Sequence, residues 1–325
     1  MFLLHPDIFL WDFAILLLIA LFGSIFVLSF VRFRRTRSVI AQFFIGFLGL
    51  AGFVGFLLVT YGSFIEPQMI VTDRFSVSLA VQQPLKIVAI SDIHAGPYSG
   101  KRFLKRVVDR INRELPDLVL IAGDTISHGE FDARSLEPLK DIRAGLGTFA
   151  VLGNHDLGQF ATIIREERYR GRNVSTELVE AFDDLGIKLL RNEHRILQVQ
   201  GQAIAIAGVD DPWSGQDDLE SALGDIPGDI PLILLAHSPN IILKPLSRRA
   251  HLIVAGHTHG GQIRLPFIGP IPPIPSGLPR TYDQGIFADG KTTLAITRGI
   301  GETNARARLF AWPEIMVIET DRRSL

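Results

Sequence analysis

Two long uncharged runs near the beginning of the chain limit its fold more than any other feature of the sequence. Residues 13–31 contain no charged side chain, and residues 39–65 contain none either. An α-helix rises 1.5 Å per residue, so each run can cross roughly 30 Å of hydrocarbon. Neither run has the polar face that a helix on a soluble core presents to water. Residues 1–65 are therefore predicted to form a transmembrane hairpin with spans at about 13–31 and 39–62.

Charges beside these runs predict how the hairpin is oriented. Four arginines lie between residues 32 and 37, in the turn that joins the spans, whereas Asp7 and Asp12 are the charged residues before the first span. Short positively charged loops stay in the cytoplasm. The rest of the chain is therefore expected on the other side of the membrane, in a periplasm or its equivalent, as part of a multi-pass protein. The lack of a basic segment before the first run argues against a cleaved signal peptide.

The remainder is predicted to be a linker at 66–82 and one domain at 83–325. Of the 33 basic and 34 acidic residues in the chain, 29 and 32 lie beyond residue 65. This balance, with a pI near 6.8, argues against a nucleic-acid-binding surface. The chain has no cysteine, which excludes disulfides and thiolate metal ligands.

Apolar runs in this domain alternate with helical patterns, which is typical of a layered α/β fold. Buried strands are predicted at 86–91, 118–122, 148–152, 203–209, 232–236 and 252–255. Helices are predicted at 103–114, 135–142 and 176–185, with closing strands at 294–297 and 314–319. A proline-rich stretch at 265–280 is expected to be a loop.

Polar side chains that can bind metal ions follow five of the predicted strands. In chain order they are Asp92 and His94, Asp124, Asn154 and His155, His237, and His257 and His259. Each motif alone is weak, because such residues are common in turns. Parallel strands, however, bring their carboxyl ends to one sheet edge, where open α/β sheets bind ligands. The five motifs together therefore predict one metal centre.

The ligand types indicate which ions this centre takes. Carboxylates, imidazoles and one amide, without sulfur, suit divalent Mn, Fe or Zn. The candidates are too many for one tetrahedral site, so two ions that share a carboxylate are the simplest arrangement.

The motifs DIH, GD, GNHD, LAHSP and GHTH, spread over residues 92–259, resemble those of the calcineurin-like metallophosphoesterases. The finer features GHTHGGQ, VDDPW and TRGIG resemble the branch of bacterial membrane-anchored or exported phosphoesterases. This resemblance implies a layered β-sandwich flanked by helices. It also implies hydrolysis of a phosphoric ester or anhydride bond.

The same resemblance assigns a role to each candidate residue. It implies one ion held by Asp92, His94 and His259, a second held by Asn154, His237 and His257, and Asp124 bridging both. Two such ions would lower the pKa of a shared water to give hydroxide and would neutralise charge on the phosphorus oxygens. His155 would stand beside them without ligating, to bind a phosphate oxygen or protonate the leaving oxygen. Asp156 is expected to cap the turn.

The second motif departs from that of the protein serine/threonine phosphatases. Those enzymes read GDxVDRG, whereas this chain reads GDTISHG from Gly123 to Gly129, with Ser127 and His128 in place of an aspartate and a phosphate-binding arginine. A protein phosphatase role is therefore not expected. His128 and Arg298 each have two readings, a contact to substrate phosphate or an ordinary surface contact.

The closeness of the domain to the membrane suggests the substrate. Apolar residues of the proline-rich stretch leave the metal-bearing edge and are expected to receive part of a phospholipid or lipid-linked diphosphate; alternatively they cover the sheet edge. One competing function is a lipid A pathway UDP-2,3-diacylglucosamine diphosphatase with a cytoplasmic site, and another is a non-catalytic scaffold. The sequence leaves open the metal, the choice between diester and pyrophosphate, and the oligomeric state.

Overall fold

The N-terminal part of the computed structural model is a pair of antiparallel helices. The structure describes residues 6–127, 132–161, 168–274 and 277–322. Helix α1 spans Pro6–Arg35 and helix α2 spans Val39–Thr60. Both are long and apolar enough to cross a membrane, and most of their large apolar side chains are exposed, as they must be to contact lipid. The predicted hairpin is therefore present as two adjacent helices.

Glycines in α2 allow the two helices to approach closely. A Cβ added at Gly52 would lie 2.8 Å from Ile25 Cγ2 and 2.9 Å from the backbone nitrogen of Phe26. A Cβ at Gly55 would lie 2.6 Å from a ring carbon of Phe22. These contacts are shorter than van der Waals distance, so α1 occupies the space that side chains would need.

The domain contains two six-stranded sheets. The first has the order β1 (Val71–Leu79), β16 (Glu314–Arg322), β2 (Lys86–Ile90), β3 (Leu118–Ala122), β4 (Thr148–Val151) and β7 (Lys188–Leu189). The second has the order β14 (Gly285–Asp289), β15 (Thr292–Ile296), β11 (Leu252–Ala255), β10 (Leu232–Leu235), β9 (Gln202–Gly208) and β8 (Glu193–Val199). Two short hairpins pair β5 (Gln159–Ala161) with β6 (Arg168–Arg170) and β12 (Arg264–Leu265) with β13 (Gly269–Pro270).

These sheets pack face to face with helices on both outer faces, as the β-sandwich prediction required. Side chains such as Ile87, Leu120 and Ile233 fill the space between the sheets. The outer face of the first sheet is covered by α3 (Lys101–Arg113) and α4 (Ser175–Asp184), and that of the second by α5 (Leu219–Leu223) together with 3₁₀ turns. Strands β2, β3 and β4 are parallel, as are β9, β10, β11 and β15. Their carboxyl ends therefore meet along one edge.

The prediction of a linker at 66–82 was wrong for most of its length. β1 pairs in parallel with the last strand, β16, over nine residues. β1 reads VTDRFSVSL, and its many polar and half-exposed residues hid the strand pattern. The segment predicted as a helix at 135–142 is a 3₁₀ helix at Ala133–Asp141, with Pro138 inside it, because proline removes a backbone donor.

The base of the hairpin is bound to the domain by hydrogen bonds. The fully buried carboxylate of Glu66 accepts from the backbone N–H groups of Phe310 and Ala311 at 2.9 and 2.6 Å. The carbonyl of Gly62 accepts from the backbone of Arg308 at 2.8 Å. At the start of α1, the Tyr98 hydroxyl lies 2.7 Å from an Asp12 carboxylate oxygen. The N-terminal end of α1 and the C-terminal end of α2 thus contact the same side of the domain.

Candidate metal centre

The predicted ligands lie at the carboxyl ends of strands in both sheets. Asp92 and His94 follow β2, Asp124 follows β3, and Asn154 follows β4, all in the first sheet. The second sheet contributes His237 after β10 and His257 and His259 after β11. All eight residues of the predicted centre, His155 included, are buried, with no more than 8% of their surface exposed. The structure therefore brings together every residue that the motifs predicted.

Most of these residues have a left-handed backbone conformation. The φ angles are 50° at Asp92, 43° at His94, 50° at Asp124, 69° at His257 and 53° at His259. A residue other than glycine costs roughly 1–3 kcal/mol in such a conformation, and it persists at functional sites because the surrounding structure enforces it. The motifs are short because the chain turns sharply at each strand end to aim consecutive side chains inward.

Two glycines of the motifs are required by close packing against the carboxylates. A Cβ at Gly153 would lie 2.1 Å from Asp124 Oδ1, and a Cβ at Gly256 would lie 2.6 Å from Asp92 Oδ2. No side chain fits at either position without moving a ligand. The glycines that begin GNHD and GHTH are therefore explained by space rather than by φ.

One cluster of ligand atoms is formed by Asp92, His94 and His259. Asp92 Oδ1 lies 3.3 Å from His259 Nε2, and His94 Nε2 lies 3.2 Å from the same nitrogen. Asp92 is held in place by the Ser91 hydroxyl and by the backbone N–H of His257, which donates at 3.0 Å. Two imidazole nitrogens and a carboxylate oxygen thus face one point.

The second cluster is centred on His237. Its Nε2 lies 3.2 Å from each of Asp124 Oδ2, Asn154 Oδ1 and His257 Nδ1. Its Nδ1 donates to the carbonyl of Ala122 at 2.7 Å, which fixes the ring and aims Nε2 at the other groups. This is the usual second contact of a metal-binding histidine.

Asp124 lies between the two clusters. Its Oδ2 atom is 3.2 Å from His237 Nε2, 3.6 Å from His94 Nε2 and 4.0 Å from His155 Nε2. Burial raises the pKa of this carboxyl, but the charges of His237, His155 and His94 outweigh burial and hold the pKa well below its usual range. Asp124 is therefore an anion in the folded chain.

The donor set fits divalent cations. His94 Nε2 and His259 Nε2 are only 3.2 Å apart, close enough for both nitrogens to reach one cation. Burial, followed by the nearby charge of His94, lowers the pKa of His259 well below its usual value. Its ring is therefore neutral, the state in which imidazole binds a metal. These groups can hold metal ions.

His155 stands beside the clusters with one nitrogen directed at them. Its Nδ1 donates to the carbonyl of Ser127 at 2.6 Å, and its ring packs edge-on against Phe160 with centroids 4.7 Å apart. Its Nε2 lies 3.5 Å from the hydroxyl of Thr303. The backbone and the aromatic ring fix the orientation of His155.

Asp156 caps the neighbouring turns, as predicted. Its carboxylate accepts from the backbone N–H groups of Thr125, Ile126 and Gly153 at 2.9 to 3.2 Å. Burial, and then the charge of Asp124, raises its pKa to about 7. It ties the second motif to the third.

The structure places one of the two other predicted candidates, Arg298. Arg298 forms ion pairs with Asp73 and, at 3.5 Å, with Glu314, so its guanidinium binds carboxylates rather than substrate. His128 lies outside the described residues. Within the proline-rich stretch, β12 and β13 form a hairpin whose tip exposes Phe267 and Ile268.

Three residues near the centre were not predicted. Thr303 contacts His155, Gln262 holds Thr303 through its side-chain oxygen at 3.0 Å, and the Trp213 ring lies 5.6 Å from that of His257. Trp213 belongs to the VDDPW motif and Gln262 to the GHTHGGQ motif, and both motifs were usable signals. Thr303 reaches the centre through a loop, and no strand pattern marks it.

Comparison with known proteins agrees with this geometry. The family model described as calcineurin-like phosphoesterase matches residues 85–261. The uncharacterized metallophosphoesterase YkuE of Bacillus subtilis is 33% identical over 79% of this chain and 87% of its own length. The phosphodiesterase YaeI of Escherichia coli is 28% identical over 73% and 82%.

The name of a third relative joins a transmembrane protein with the same kind of domain. This relative is a transmembrane protein with metallophosphoesterase domain from Danio rerio, 34% identical over 55% of this chain and 41% of its own length. A Caenorhabditis elegans relative is matched over 48% of its length. With the family model covering more than half of the chain, and its motifs assembled into one buried centre, the chain belongs to the calcineurin-like phosphoesterase family and is a hydrolase of phosphoric esters.

Proposed function

We propose that the chain cleaves a phosphodiester or pyrophosphate bond of a membrane-associated substrate, with two divalent cations, Mn, Fe or Zn, as cofactors. Asp92, His94 and His259 would hold one cation, and Asn154, His237 and His257 the other. The observation that carries the proposal is the position of Asp124, whose single Oδ2 atom lies within 3.6 Å of a histidine from each cluster. A carboxylate so placed can serve both ions.

Cations bound there would supply a hydroxide nucleophile at neutral pH and neutralise the charge of the phosphate. The chain supplies the proton donor. Because the Ser127 carbonyl holds the proton of His155 Nδ1, only Nε2 can face the substrate. A protonated Nε2 donates to a phosphate oxygen or gives its proton to the leaving oxygen.

Contacts between the hairpin and the site support a substrate drawn from the bilayer. Thr303, which touches His155, is three residues before Arg306, and Arg306 lies over the ring of Tyr98. Tyr98 in turn reaches Asp12 at the start of the first span. Three contacts and a short stretch of chain thus connect the proton donor with the start of the first span.

The β12–β13 hairpin offers an apolar surface next to this boundary. Phe267 is fully exposed and Ile268 is 69% exposed. The hairpin lines a cavity of about 630 Å³ that also includes Phe310, whose backbone binds Glu66 at the base of the anchor. Exposed apolar side chains beside a membrane anchor are suited to lipid contact.

The location proposed for the domain is extracytoplasmic, on a bacterial inner membrane. Both helix ends contact the domain, so the arginine-rich turn after α1 lies at the other end of a helix about 45 Å long. With that turn in the cytoplasm, the domain lies outside. An alkaline phosphatase fused at Leu325 should be active in intact cells. An inactive fusion would instead favour the cytoplasmic diphosphatase.

The activity is tested on the full-length chain in detergent. Metal analysis should give two divalent ions per chain, and a chromogenic diester and a phospholipid should be hydrolysed faster than a monoester. The name of the relative YaeI, a phosphodiesterase, supports the diester. The proposal is contradicted by one ion per chain, by no diester hydrolysis, or by undiminished hydrolysis after His155→Asn.

A further inference from the structure

Arg306 lies between the helix hairpin and the loops that carry the candidate metal centre. Its guanidinium carbon is 4.9 Å from the centroid of the Phe64 ring and 5.0 Å from that of the Tyr98 ring. Phe64 follows α2 and is 39% exposed, whereas Tyr98 belongs to the loop that follows His94. One ring comes from the anchor and the other from the site, so the position of Arg306 is fixed relative to both.

Arg306 forms no ion pair within the described part of the chain. There its guanidinium pairs with no carboxylate, unlike that of Arg298, which pairs with Asp73. The fully buried guanidinium of Arg308 donates to backbone carbonyls, among them that of Ala311 at 2.7 Å. Arg306 is only half-buried. Stacking on aromatic rings covers the faces of a guanidinium but leaves its N–H edge directed outward, where it can bind oxygen.

Arg306 is also close enough to the reaction to contact the same molecule as His155. Thr303, three residues earlier, lies 3.5 Å from His155 Nε2. Three residues of chain span at most about 11 Å. A phospholipid that moves from the bilayer to the metal centre therefore passes close to Arg306, which can bind its phosphate on the way.

Electrostatics favour an anion at this place. The nearest acidic group in sequence is Glu302, and burial raises its pKa to about 7 although Arg308 and Arg306 oppose the shift. Part of its negative charge is therefore absent at neutral pH, and Glu302 only partly offsets the charge of Arg306. Guanidinium binds phosphate oxygens through two parallel hydrogen bonds, and cationic side chains at a membrane surface attract anionic lipids.

We propose that Arg306 binds the head group of an anionic phospholipid entering the metal centre from the bilayer, and that it selects such lipids over soluble phosphate esters. The inference rests on the proposed function, because it takes the bilayer to be the source of substrate. It assigns to Arg306 a role in binding and selection, and none in bond cleavage.

The test uses the full-length, metal-loaded chain in nanodiscs of phosphatidylcholine with or without 30 mol% phosphatidylglycerol. Hydrolysis of a soluble chromogenic diester is measured as the lipid varies. If phosphatidylglycerol occupies the site, it should raise the KM for the soluble diester at least about threefold in the unaltered chain. Arg306→Gln should abolish this rise in KM. It should leave kcat for the soluble diester within about twofold, since Arg306 is not one of the predicted metal ligands. Arg306→Lys should restore part of the rise in KM.

Arg195→Gln is the matched control, because Arg195 is half-exposed, lies on the edge strand β8 and pairs with Glu193. This variant should behave as the unaltered chain.

A second experiment measures lipid binding without any hydrolysis. Electron paramagnetic resonance of spin-labelled phosphatidylglycerol should show one fewer immobilised lipid per chain after Arg306→Gln.

Three outcomes would overturn the inference. They are an unchanged lipid effect in Arg306→Gln, an equal loss of soluble-diester hydrolysis in both lipid mixtures, and the same number of immobilised lipids. Failure of the proposed hydrolase looks different, because the unaltered chain would then leave the soluble diester intact while the resonance experiment still reports on lipid binding.

Discussion

Asp124 contacts both groups of candidate metal ligands through one carboxylate oxygen, and this makes it the most informative single substitution. Asp124→Asn keeps the shape but removes a charge that would serve two cations. Loss of several kcal/mol of charge stabilisation corresponds to about a thousandfold lower kcat on a soluble diester. Kinetics and metal analysis measure the effect. Asp183→Asn, exposed on α4, is the control, and a mutant of Asp124 with normal activity and two ions would contradict the assignment.

Glu302 gives a pH-dependent prediction. Burial raises its pKa from 4.5 to about 7. Between these values the folded chain keeps a proton that the unfolded chain releases, so stability falls as pH rises through this window. Glu302→Gln removes the titration. Its Tm relative to the unaltered chain should increase between pH 5 and pH 8 by at least about 3 °C. Thermal unfolding in detergent measures this difference, with the exposed Glu180→Gln as control. A difference in Tm that stays constant from pH 5 to pH 8 would contradict the raised pKa of Glu302.

The sequence identified the residues that the structure brings together at the candidate metal centre, but not the residues that surround them. Asp92 and His257 could be found because each follows an apolar strand in a recognisable motif. Thr303 and Arg306 could not, because their positions depend on where the chain returns after β15 and on the closeness of the anchor. Contacts of that kind are set by the assembled fold.

Among the elements, six strands inside the sheets were predicted to within one residue, whereas β15 begins two residues before its predicted start and β16 ends three residues after its predicted end. β3 and β11 are continuous apolar runs buried on both faces. By contrast, β1, β8 and β14 were missed. They are edge strands of their sheets, and their half-exposed faces carry polar residues that weaken the pattern.

The helix hairpin allows a matched pair of substitutions. Gly52→Ala would place a Cβ 2.8 Å from Ile25, so the helices must separate, whereas Gly46→Ala would place one at an ordinary 3.5 Å from the Phe33 ring. Overpacking of this kind costs about 1–3 kcal/mol. We expect Gly52→Ala, but not Gly46→Ala, to lower the Tm in detergent and the yield of a disulfide engineered between the spans. Equal effects of the two would show that the helices do not pack this way.

The β12–β13 hairpin gives a second test at this scale. The double variant Phe267→Ser, Ile268→Ser should lower hydrolysis of phospholipid in vesicles about tenfold, because two exposed apolar side chains no longer enter the lipid. Hydrolysis of a soluble diester should not change. Leu243→Ser, 57% exposed on a 3₁₀ turn, is the control. Equal losses on both substrates would mean that these residues only support the site.

In the whole molecule, the anchor and the metal centre share one chain segment. Residues 298–311 bind the hairpin through the contacts of Gly62 and Glu66. The same segment packs on the first ligand cluster, where a Cβ at Gly299 would lie 2.6 Å from Asp92 Cβ. Arg308 connects this segment to the hairpin, since its guanidinium donates to the carbonyl of Gly301 and its backbone N–H to that of Gly62. The end of the anchor is therefore part of the support of the site.

Two shortened chains separate this support from membrane attachment. A chain that begins at Glu66 keeps the carboxylate that accepts from Phe310 and Ala311, whereas a chain that begins at Val71 leaves both backbone donors without it. Each lost hydrogen bond to a charged group costs about 1.5–3 kcal/mol. We expect the first chain to hydrolyse a soluble diester within about fivefold of the full-length rate, and the second to show a lower Tm and less bound metal. Glu66→Gln in the full-length chain should lie between them, because the amide oxygen still accepts one bond. If both shortened chains have the same Tm and metal content, the hairpin serves only to attach the domain to the membrane, and the contacts of Glu66 contribute nothing to the metal centre.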